Sequence, residues 1–430
     1  MSAAGTRPRE GLRAGIILRL SLRNVLRYAR RSTLTASAMV LGLALLILSR
    51  TLADGAHESW IDQGVQLGTG HVALQAPGYR ENRSLDNRLA PGPLATAMAA
   101  LDDPKVEHSV VIAAPRITVS GLASSAGSAV PILILGVDPD IEPAFSLLDD
   151  KLVEGRYLES GDRLSAYVGT GLVERLGIHL GSRFVLTAQD ADGEIQGQLV
   201  RVAGIFRTGV PDLDEGIIHL TLATAQRWLN APGAVTTVAV LLQSSRATPP
   251  VIRSLDRILP ADQVEVLSWR EASPELDAAV KIDDLGDWVF HIITLAIIAL
   301  AILNAILMAV LNRKREFGVL QALGLTGRET GVVVLLEGVM LSLLSGGLGV
   351  ILGLGVTWFF WRDGLDMSFL MDEELTFSGT LFDPVMVPEF RLATIFLSLA
   401  LIIAIGVLAS LYPAHQATRI DVAEAMKFDR

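Results

Sequence analysis

Residues 288–311 read WVFHIITLAIIALAILNAILMAVL, a stretch without any Asp, Glu, Lys or Arg. A helix rises about 1.5 Å per residue, so about 20 apolar residues cross the hydrocarbon core of a bilayer. Three further apolar stretches reach this length, and they lie at residues 34–53, 331–361 and 392–411. The sequence therefore predicts a membrane protein with four transmembrane α-helices.

The overall composition agrees with contact to lipid. Half of the 430 residues are hydrophobic, 19% are charged and the mean hydropathy is +0.45, whereas soluble domains are about 25% charged. Apolar content this high excludes a disordered chain, and the net charge of −10 gives no reason to expect nucleic-acid binding. The absence of cysteine excludes disulfides, thiolate metal sites and cysteine nucleophiles.

Basic residues are concentrated on one side of the predicted spans. Residues 1–33 hold eight arginines and one acid, and the loop 312–330 holds four basic residues and two acids. Residues 54–286 hold 31 acids and 18 basic residues, and the loop 362–391 holds seven acids and two basic residues. Because cytoplasmic loops are rich in Lys and Arg, we expect the N-terminus, the loop 312–330 and the tail 412–430 on the cytoplasmic side of the membrane.

The first apolar stretch could instead be a cleaved signal peptide. Its positive flank fits, but the stretch is long, it contains Arg50, and Asp54 and His57 follow without a small-residue cleavage site. We expect an uncleaved anchor, with Arg50 reaching the outer interface. Before it, the arginine-rich segment Ile16–Tyr28 is amphipathic and suits the inner interface.

The acidic segment 54–286 alternates strand-like runs with turn signals. Examples are SVVIAAPRITVSG at 109–121 and AVPILILGVD at 129–138, and helical patterns such as residues 222–229 lie between such runs. This pattern predicts a large α+β extracytoplasmic domain with small sheets, placed between the first and second spans. Its two ends have helical patterns, so we expect them to continue the spans outward as a stalk.

The sequence carries no recognisable catalytic constellation. It contains no GxxxxGK[ST], GxSxG, HExxH or EF-hand pattern. Its seven histidines are scattered without a pair at ligand spacing. We therefore expect no metal and no cofactor in this chain, and a role in binding, signalling or transport.

Residues 312–330, NRKREFGVLQALGLTGRET, form the most informative loop. Charged residues precede a short apolar helical stretch, and Gly324 ends it. We expect Phe317, Leu320 and Leu323 to protrude as one apolar face. Such a face on a short helix is typical of a docking element for another protein, and an ordinary turn between spans is the alternative.

The same loop resembles the coupling-helix signature R-x-R-E-[IF]-[GA]-[IV]-L-[RK]-A-[LI]-G of the MacB/FtsX/lipoprotein-releasing permeases. The tail LYPAHQATRIDVAEAMKFDR, from Leu411, and the lead-in SLRNVLRYARRSTLT, from Ser21, are similar to the ending and opening of that family. Val422 departs from the pattern, which often has proline there. The residues that fall on the coupling signature are Arg313, Arg315, Glu316, Phe317, Gly318, Leu320, Ala322, Leu323 and Gly324.

This resemblance implies the permease subunit of a type VII ABC transporter that works by mechanotransmission. It implies a homodimer or heterodimer of permeases in the lipid membrane, and a separate ATPase subunit that binds ATP and Mg²⁺. The chain would then not be an enzyme by itself. The coupling residues would contact the ATPase.

Two stretches are similar to the lipoprotein-releasing LolC/LolE-type branch, TGHVALQAPGY at 69–79 and GIFRTGVPDLDEGIIHLTLATAQRWL at 204–229. They imply extraction of lipoproteins from the outer leaflet and transfer to a periplasmic carrier. The first alternative is a MacB-like efflux permease that moves peptides or drugs through an adaptor. The second is an FtsX-like signalling permease that regulates a cell-wall hydrolase, and the size of 54–286 argues against it.

Two polar residues lie inside the predicted spans. We expect Asn304 and Glu337 to make hydrogen bonds between helices. A functional role for Glu337 is the alternative, because an intramembrane carboxylate is often functional. For the external loop 362–391 we expect contact with the outer interface or with the stalk.

Overall fold

The computed structural model describes residues 29–366, 376–377, 380–381 and 385–419. The amphipathic segment expected at 16–28 and the last residues of the tail lie outside this range. The described chain divides into two compact units. One, the α+β unit, comprises residues 57–283 and 366–385, and the other, the helical unit, comprises the rest.

The described α-helices are α1 (Ala29–Leu67), α2 (Pro91–Leu101), α3 (Glu142–Phe145), α4 (Thr170–Leu176), α5 (Pro211–Gly216), α6 (Leu222–Trp228), α7 (Thr248–Ile258), α8 (Trp269–Ala272), α9 (Pro274–Leu311), α10 (Lys314–Ala322), α11 (Gly327–Trp361) and α12 (Leu392–Thr418). The strands are β1 (Val72–Gln75), β2 (Val110–Ser124), β3 (Ala129–Val137), β4 (Leu152–Gly155), β5 (Ser165–Gly169), β6 (Arg183–Gln189), β7 (Ile195–Phe206), β8 (Ile217–Thr221), β9 (Thr237–Leu242), β10 (Glu265–Ser268), β11 (Leu365–Asp366), β12 (Thr376–Phe377), β13 (Thr380–Leu381) and β14 (Val385–Met386). Short 3₁₀ turns occur at Leu85–Asn87, Glu107–Ser109 and Ser245–Ala247.

Four described helices, α1, α9, α11 and α12, are long and apolar enough to cross a membrane. This confirms the four spans expected from the sequence. Helices α1 and α9 are longer than the spans predicted at 34–53 and 288–311, so the expected helical continuations are present. Helix α9 has 38 residues, which corresponds to about 57 Å.

Small residues bring α11 and α12 close together. A Cβ atom added to Gly338 would lie 2.8 Å from Cβ of Ser410, and one added to Gly406 would lie 2.9 Å from Cβ of Ser342. Glycine and serine therefore alternate across the contact, and each glycine makes room for the serine opposite it. Close packing of this kind is how helices associate where no hydrophobic effect acts between them.

The strands β1 to β10 form one connected sheet. Along its main path the order is β10-β1-β9-β2-β3-β8-β5-β7-β4, and β6 pairs with β2 and β7. Pairing is antiparallel except between β3 and β8 and between β5 and β7. The expectation of small sheets is therefore wrong.

Strand β2 explains this outcome because it is 15 residues long. Its first part, Val110–Arg116, pairs with β9, and its second part, from Ile117, pairs with β3 and β6. Strand β2 thus joins the strands on the β9 side of the sheet to those on the β3 side. The sequence pattern alone does not show that these strands belong to one sheet.

A charged pair is buried against this sheet. Arg116 on β2 is 4% exposed and Glu142 on α3 is 1% exposed. The guanidinium donates two hydrogen bonds to the Glu142 carboxylate, at 2.5 and 3.0 Å, and lies 4.1 Å from the ring centroid of Phe145. A third donor of Arg116 reaches the carbonyl oxygen of Gly68 at 2.5 Å, directly after the end of α1.

Candidate coupling site

Local chain chemistry fixes both ends of the turn between α10 and α11. Gly324 has φ +112°, a conformation that favours glycine, and α10 ends two residues before it. At the start of α11, the hydroxyl of Thr326 accepts from the backbone N–H of Glu329, and the Glu329 carboxylate accepts from the backbone N–H of Thr326. This capping box satisfies two backbone donors that a helix start leaves unpaired.

Phe317 points into the helical unit. Its side chain is fully buried among Val310, Val334, Ala414 and Ala417. The expectation that Phe317 protrudes is therefore wrong. Successive residues of an α-helix are about 100° apart, so positions spaced by three drift by about 60° each time around the helix.

The same rotation places the other two predicted residues. Leu320 is half-buried at the edge of the Phe317 cluster, and Leu323 is 78% exposed. The side of α10 opposite Phe317 carries Val319, which is 45% exposed. Arg315, Ala322 and Gly324 are also exposed, whereas Gly318 is buried and Glu316 is half-buried. We call the exposed set Arg315, Val319, Ala322 and Leu323 the outer face of α10.

Arg313 ties the start of α10 to α11. Its Nη1 donates to Oε2 of Glu337 at 2.6 Å, and its Nε donates to Oε2 of Glu316 at 3.0 Å. Its guanidinium also lies 5.1 Å from the ring centroid of Phe317. Burial alone would lower the pKa of Arg313, but attraction to Glu337 and hydrogen bonds to Glu337 and Glu316 raise it above its usual value. Arg313 therefore stays charged and pairs the carboxylate that α11 carries.

Gln321 adds a second link between α10 and its neighbours. Its side-chain amide donates to Oγ1 of Thr330 and to the carbonyl oxygen of Ala417, at 3.4 Å each. On α11, a Cβ added to Gly331 would lie 2.7 Å from Cγ2 of Thr418, so glycine is what allows α12 to approach. Contacts on several sides hold α10 against α11 and α12.

Asn304 is exposed on α9. Within the described part of the chain it has no hydrogen-bonded side-chain partner, so the expected hydrogen bond between helices of this chain is not made. The reason is its position, because Leu300 and Met308, one turn before and after it, are 65% and 54% exposed. Asn304 thus belongs to a face of α9 that the other described residues leave uncovered.

Sequence reasoning missed a charged cluster of the helical unit. Arg50 on α1 forms an ion pair with Asp287 on α9, and its Nε lies 3.4 Å from Oδ1 of Asp54. His291 lies 3.1 Å from the Asp287 carboxylate. The i, i+4 spacing of Arg50 and Asp54 signals their own contact, but nothing local identifies Asp287 as a partner. No group of three or more potential metal ligands occurs among the described residues.

Two family models match the chain. The model of the MacB-like periplasmic core domain matches residues 32–258, just over half of the chain, and the model of the FtsX-like permease C-terminal region matches residues 288–422. The second match includes α10 and all of its contacts described above. Four membrane-length helices with an α+β unit between the first two define a multi-pass membrane permease. The chain belongs to the MacB/FtsX family of ABC-transporter permeases, the type VII group.

The chain is similar to relatives named for lipoprotein release and to relatives named for macrolide export. The lipoprotein-releasing system transmembrane protein LolC of Neisseria meningitidis serogroup B is 21% identical, over 74% of this chain and 79% of the relative. The corresponding protein LolE of Haemophilus influenzae is 22% identical, over 91% of this chain and 93% of the relative. The macrolide export ATP-binding/permease protein MacB 2 of Aeromonas hydrophila is 25% identical, over 95% of this chain and 60% of the relative.

Proposed function

We propose that this chain is the permease of an ATP-driven transporter that extracts lipid-modified proteins from the outer leaflet of a bacterial inner membrane. A separate ATPase subunit binds MgATP and docks on the outer face of α10. One observation supports the docking of the ATPase most directly. Phe317 on α10 is buried in the helical unit, whereas Leu323 at the end of the same short helix is exposed. One side of α10 is fixed to the helical unit, and the other side is available to a partner.

Helix α10 follows directly after α9 in the chain, so a movement of α10 can be transmitted to α9. Helix α9 ends at Leu311, Arg313 follows as the residue that caps α10, and α9 runs without a break back to Pro274. When the ATPase closes on ATP and moves α10, that movement reaches a continuous rod about 57 Å long. Mechanotransmission requires a stiff helix of this kind.

Lipid-modified substrates fit the apolar surface of the first two membrane helices. Leu41 and Leu45 on α1 are 61% and 60% exposed, and Ile297 and Leu300 on α9 are 63% and 65% exposed. These side chains provide aliphatic contact for acyl chains. Similarity to LolC and LolE, whose names state lipoprotein release, supports the same substrate class here.

Orientation follows from the distribution of charge. We place the N-terminus, the turn that contains α10 and the C-terminus in the cytoplasm, because Lys and Arg are concentrated there. The α+β unit then faces the periplasm, where a lipoprotein carrier would receive the substrate. The permease acts as a dimer, either with itself or with a second permease, as the paired names LolC and LolE suggest.

The second candidate is efflux of peptides or drugs through a periplasmic adaptor. Similarity to MacB 2 over 95% of this chain favours it. The two candidates differ in their partners, because release needs a soluble lipoprotein carrier and efflux needs a membrane-fusion adaptor.

Purification of the tagged chain from its native membrane in a mild detergent tests the proposal. We expect mass spectrometry to identify an ABC ATPase and at least one lipid-modified protein. A variant with Leu323→Ser and Val319→Ser serves as a control and should retain the lipid-modified protein but lose the ATPase. Recovery of an adaptor without any lipid-modified protein would favour efflux, and recovery of no ATPase would contradict both candidates.

A further inference from the structure

A cavity of about 180 Å³ lies within the α+β unit, on one face of the large sheet. Strands β1, β9, β2, β3 and β8 contribute to its floor. Neither the coupling contact nor the membrane faces described above involve it.

The polar end of this cavity contains donors without partners. Thr237 is 6% exposed and lines the cavity, and within the described residues its hydroxyl has no hydrogen-bond partner. Gln75 is 4% exposed and is the direct cross-strand neighbour of Thr237, so their Cβ atoms lie about 5 Å apart. Only one donor of its side-chain amide is used in the described chain, by Glu265 at 3.3 Å.

Charged side chains of both signs lie around this end of the cavity. Arg83 lines the cavity and has no ion-pair partner among the described residues. Arg80 also lines it but pairs with Glu81 at 3.0 Å, and Arg116 below is neutralised by Glu142. Glu275 is the acid of the lining, and the Glu265 carboxylate accepts from Gln75 next to it. Arg83 is therefore the cation left to attract an anionic group toward the hydroxyl of Thr237.

The opposite end of the cavity is aliphatic. Leu67, Leu133 and Ile217 are half-buried there, and Leu133 and Ile217 are neighbours on adjacent parallel strands. A small anion without an alkyl group would leave these aliphatic side chains in contact with water. The lining thus matches a ligand that has an anionic head and a short apolar portion.

We propose that this cavity binds a small amphiphilic anion, in which a phosphate or carboxylate group lies against Arg83, Thr237 and Gln75 and an aliphatic portion lies against Leu67, Leu133 and Ile217. This assignment does not depend on the transported substrate or on the ATPase.

The position of the cavity gives its occupant a mechanical role. Leu67 is the last residue of α1, and Ser273 and Glu275 flank the first residue of α9. The hydroxyls of Thr69 and Ser273 lie 3.4 Å apart beside the cavity. A bound ligand therefore contacts the ends of both long helices and stabilises their junction with the sheet.

Calorimetric titration of the full chain in phosphatidylcholine nanodiscs tests the assignment, with empty nanodiscs as blank. The probes are monobutyl phosphate, butyrate, inorganic phosphate and acetate. We expect monobutyl phosphate or butyrate to bind at least tenfold more tightly than its counterpart without the alkyl chain. We also expect the tighter probe to raise the thermal unfolding midpoint.

Three variants make the test specific. Arg83→Gln and Thr237→Val should each weaken binding about tenfold, as expected for loss of a hydrogen bond to a charged group. Arg183→Gln changes an exposed arginine on β6 of the same unit and should leave binding unchanged. Arg83 is exposed, so its variant folds even if Thr237→Val does not. Absence of binding, equal binding without the alkyl chain, or equal weakening by Arg183→Gln would overturn the proposal.

Discussion

Nη1 of Arg313 lies 2.6 Å from Oε2 of Glu337. The two side chains are 10% and 16% exposed, and they join the start of α10 to the first third of α11. The carboxylate that the sequence places inside a predicted span is thereby paired with an arginine from the neighbouring turn. A buried pair of this kind holds α10 in position only while both partners are present.

Glu337→Gln should destabilise the helical unit, because the buried Arg313 guanidinium then loses the negative charge of Glu337, which lies 2.6 Å from it. Removal of one partner of a buried ion pair costs about 3 kcal/mol or more. The midpoint of thermal unfolding in detergent should fall clearly. Arg315→Gln, which alters an exposed arginine on the same helix, should change stability by less than about 0.5 kcal/mol. Equal stability of the two variants would contradict the importance of the pair.

Phe317→Ala should destabilise the isolated chain, whereas Leu323→Ala should not. Phe317 is fully buried, so its truncation leaves a cavity and costs about 3–5 kcal/mol. Leu323 is 78% exposed, so its truncation should leave the thermal midpoint of the isolated chain unchanged. A loss of stability in Leu323→Ala would show that this side chain packs inside the unit.

Truncation of the outer face should weaken association with the ATPase. Each large apolar side chain buried at an interface contributes about 1.5–3 kcal/mol, so Val319→Ala together with Leu323→Ala should markedly reduce the ATPase recovered per permease. The matched control is Val153→Ala with Leu164→Ala, a pair of apolar residues of the α+β unit that are 59% and 52% exposed. If both double variants retain the ATPase equally, α10 is not the docking element.

The orientation predicts which residues a membrane-impermeant thiol reagent reaches. The chain has no cysteine of its own, so each introduced cysteine is labelled without background. In intact spheroplasts Ala126→Cys should react and Arg328→Cys should not, although both positions are exposed. After permeabilisation both should react. Labelling of Arg328→Cys in intact spheroplasts would reverse the orientation.

Acid should weaken the α+β unit through His219. This histidine is 1% exposed, and burial, assisted by the positive charge of Arg116, lowers its pKa from 6.5 to about 3. Below pH 6.5 the unfolded chain binds a proton that the folded chain does not, so the free energy of unfolding falls as the pH decreases. Between pH 7.5 and 5.5 this contribution falls by about 1.4 kcal/mol.

Chemical denaturation of the wild type and of His219→Gln at these two pH values measures the effect. The wild type should lose about 1.4 kcal/mol more than the variant, whatever the variant's absolute stability. Identical pH dependence of the two proteins would contradict a neutral buried histidine at this position.

The sequence predicted the features that depend on local pattern. Long apolar runs indicated the four membrane-length helices, alternation indicated β2 and β3, and Gly324 marked the end of α10. The helical period also determines the side of α10 on which Phe317 lies. That this side is buried became evident only from the structure, in which Val334 on α11 and Ala414 on α12 pack around Phe317. Two successive rotations of about 60° separate buried Phe317 from exposed Leu323, and half-buried Leu320 lies between them.

Features that depend on long-range pairing could not be read from the sequence. Arg50 and Asp287 lie 237 positions apart, and no spacing rule connects them. The same holds for Arg313 and Glu337, because helix spacing alone would allow each of them to pair with an oppositely charged residue three or four positions away. The cavity in the α+β unit combines residues from β1, β3, β8 and β9 with the ends of α1 and α9, and only the sheet order brings these together.

In the proposed mechanism, movement of α10 by an ATPase drives release of a lipid-modified protein. It is tested most directly in proteoliposomes that contain the chain, its co-purified ATPase and a lipid-modified protein, by measurement of the protein released to a soluble carrier after addition of MgATP. We expect release with wild-type permease, and none with the Val319→Ala, Leu323→Ala variant or with a non-hydrolysable ATP analogue. Equal release by wild type and variant, or release without hydrolysis, would contradict the account.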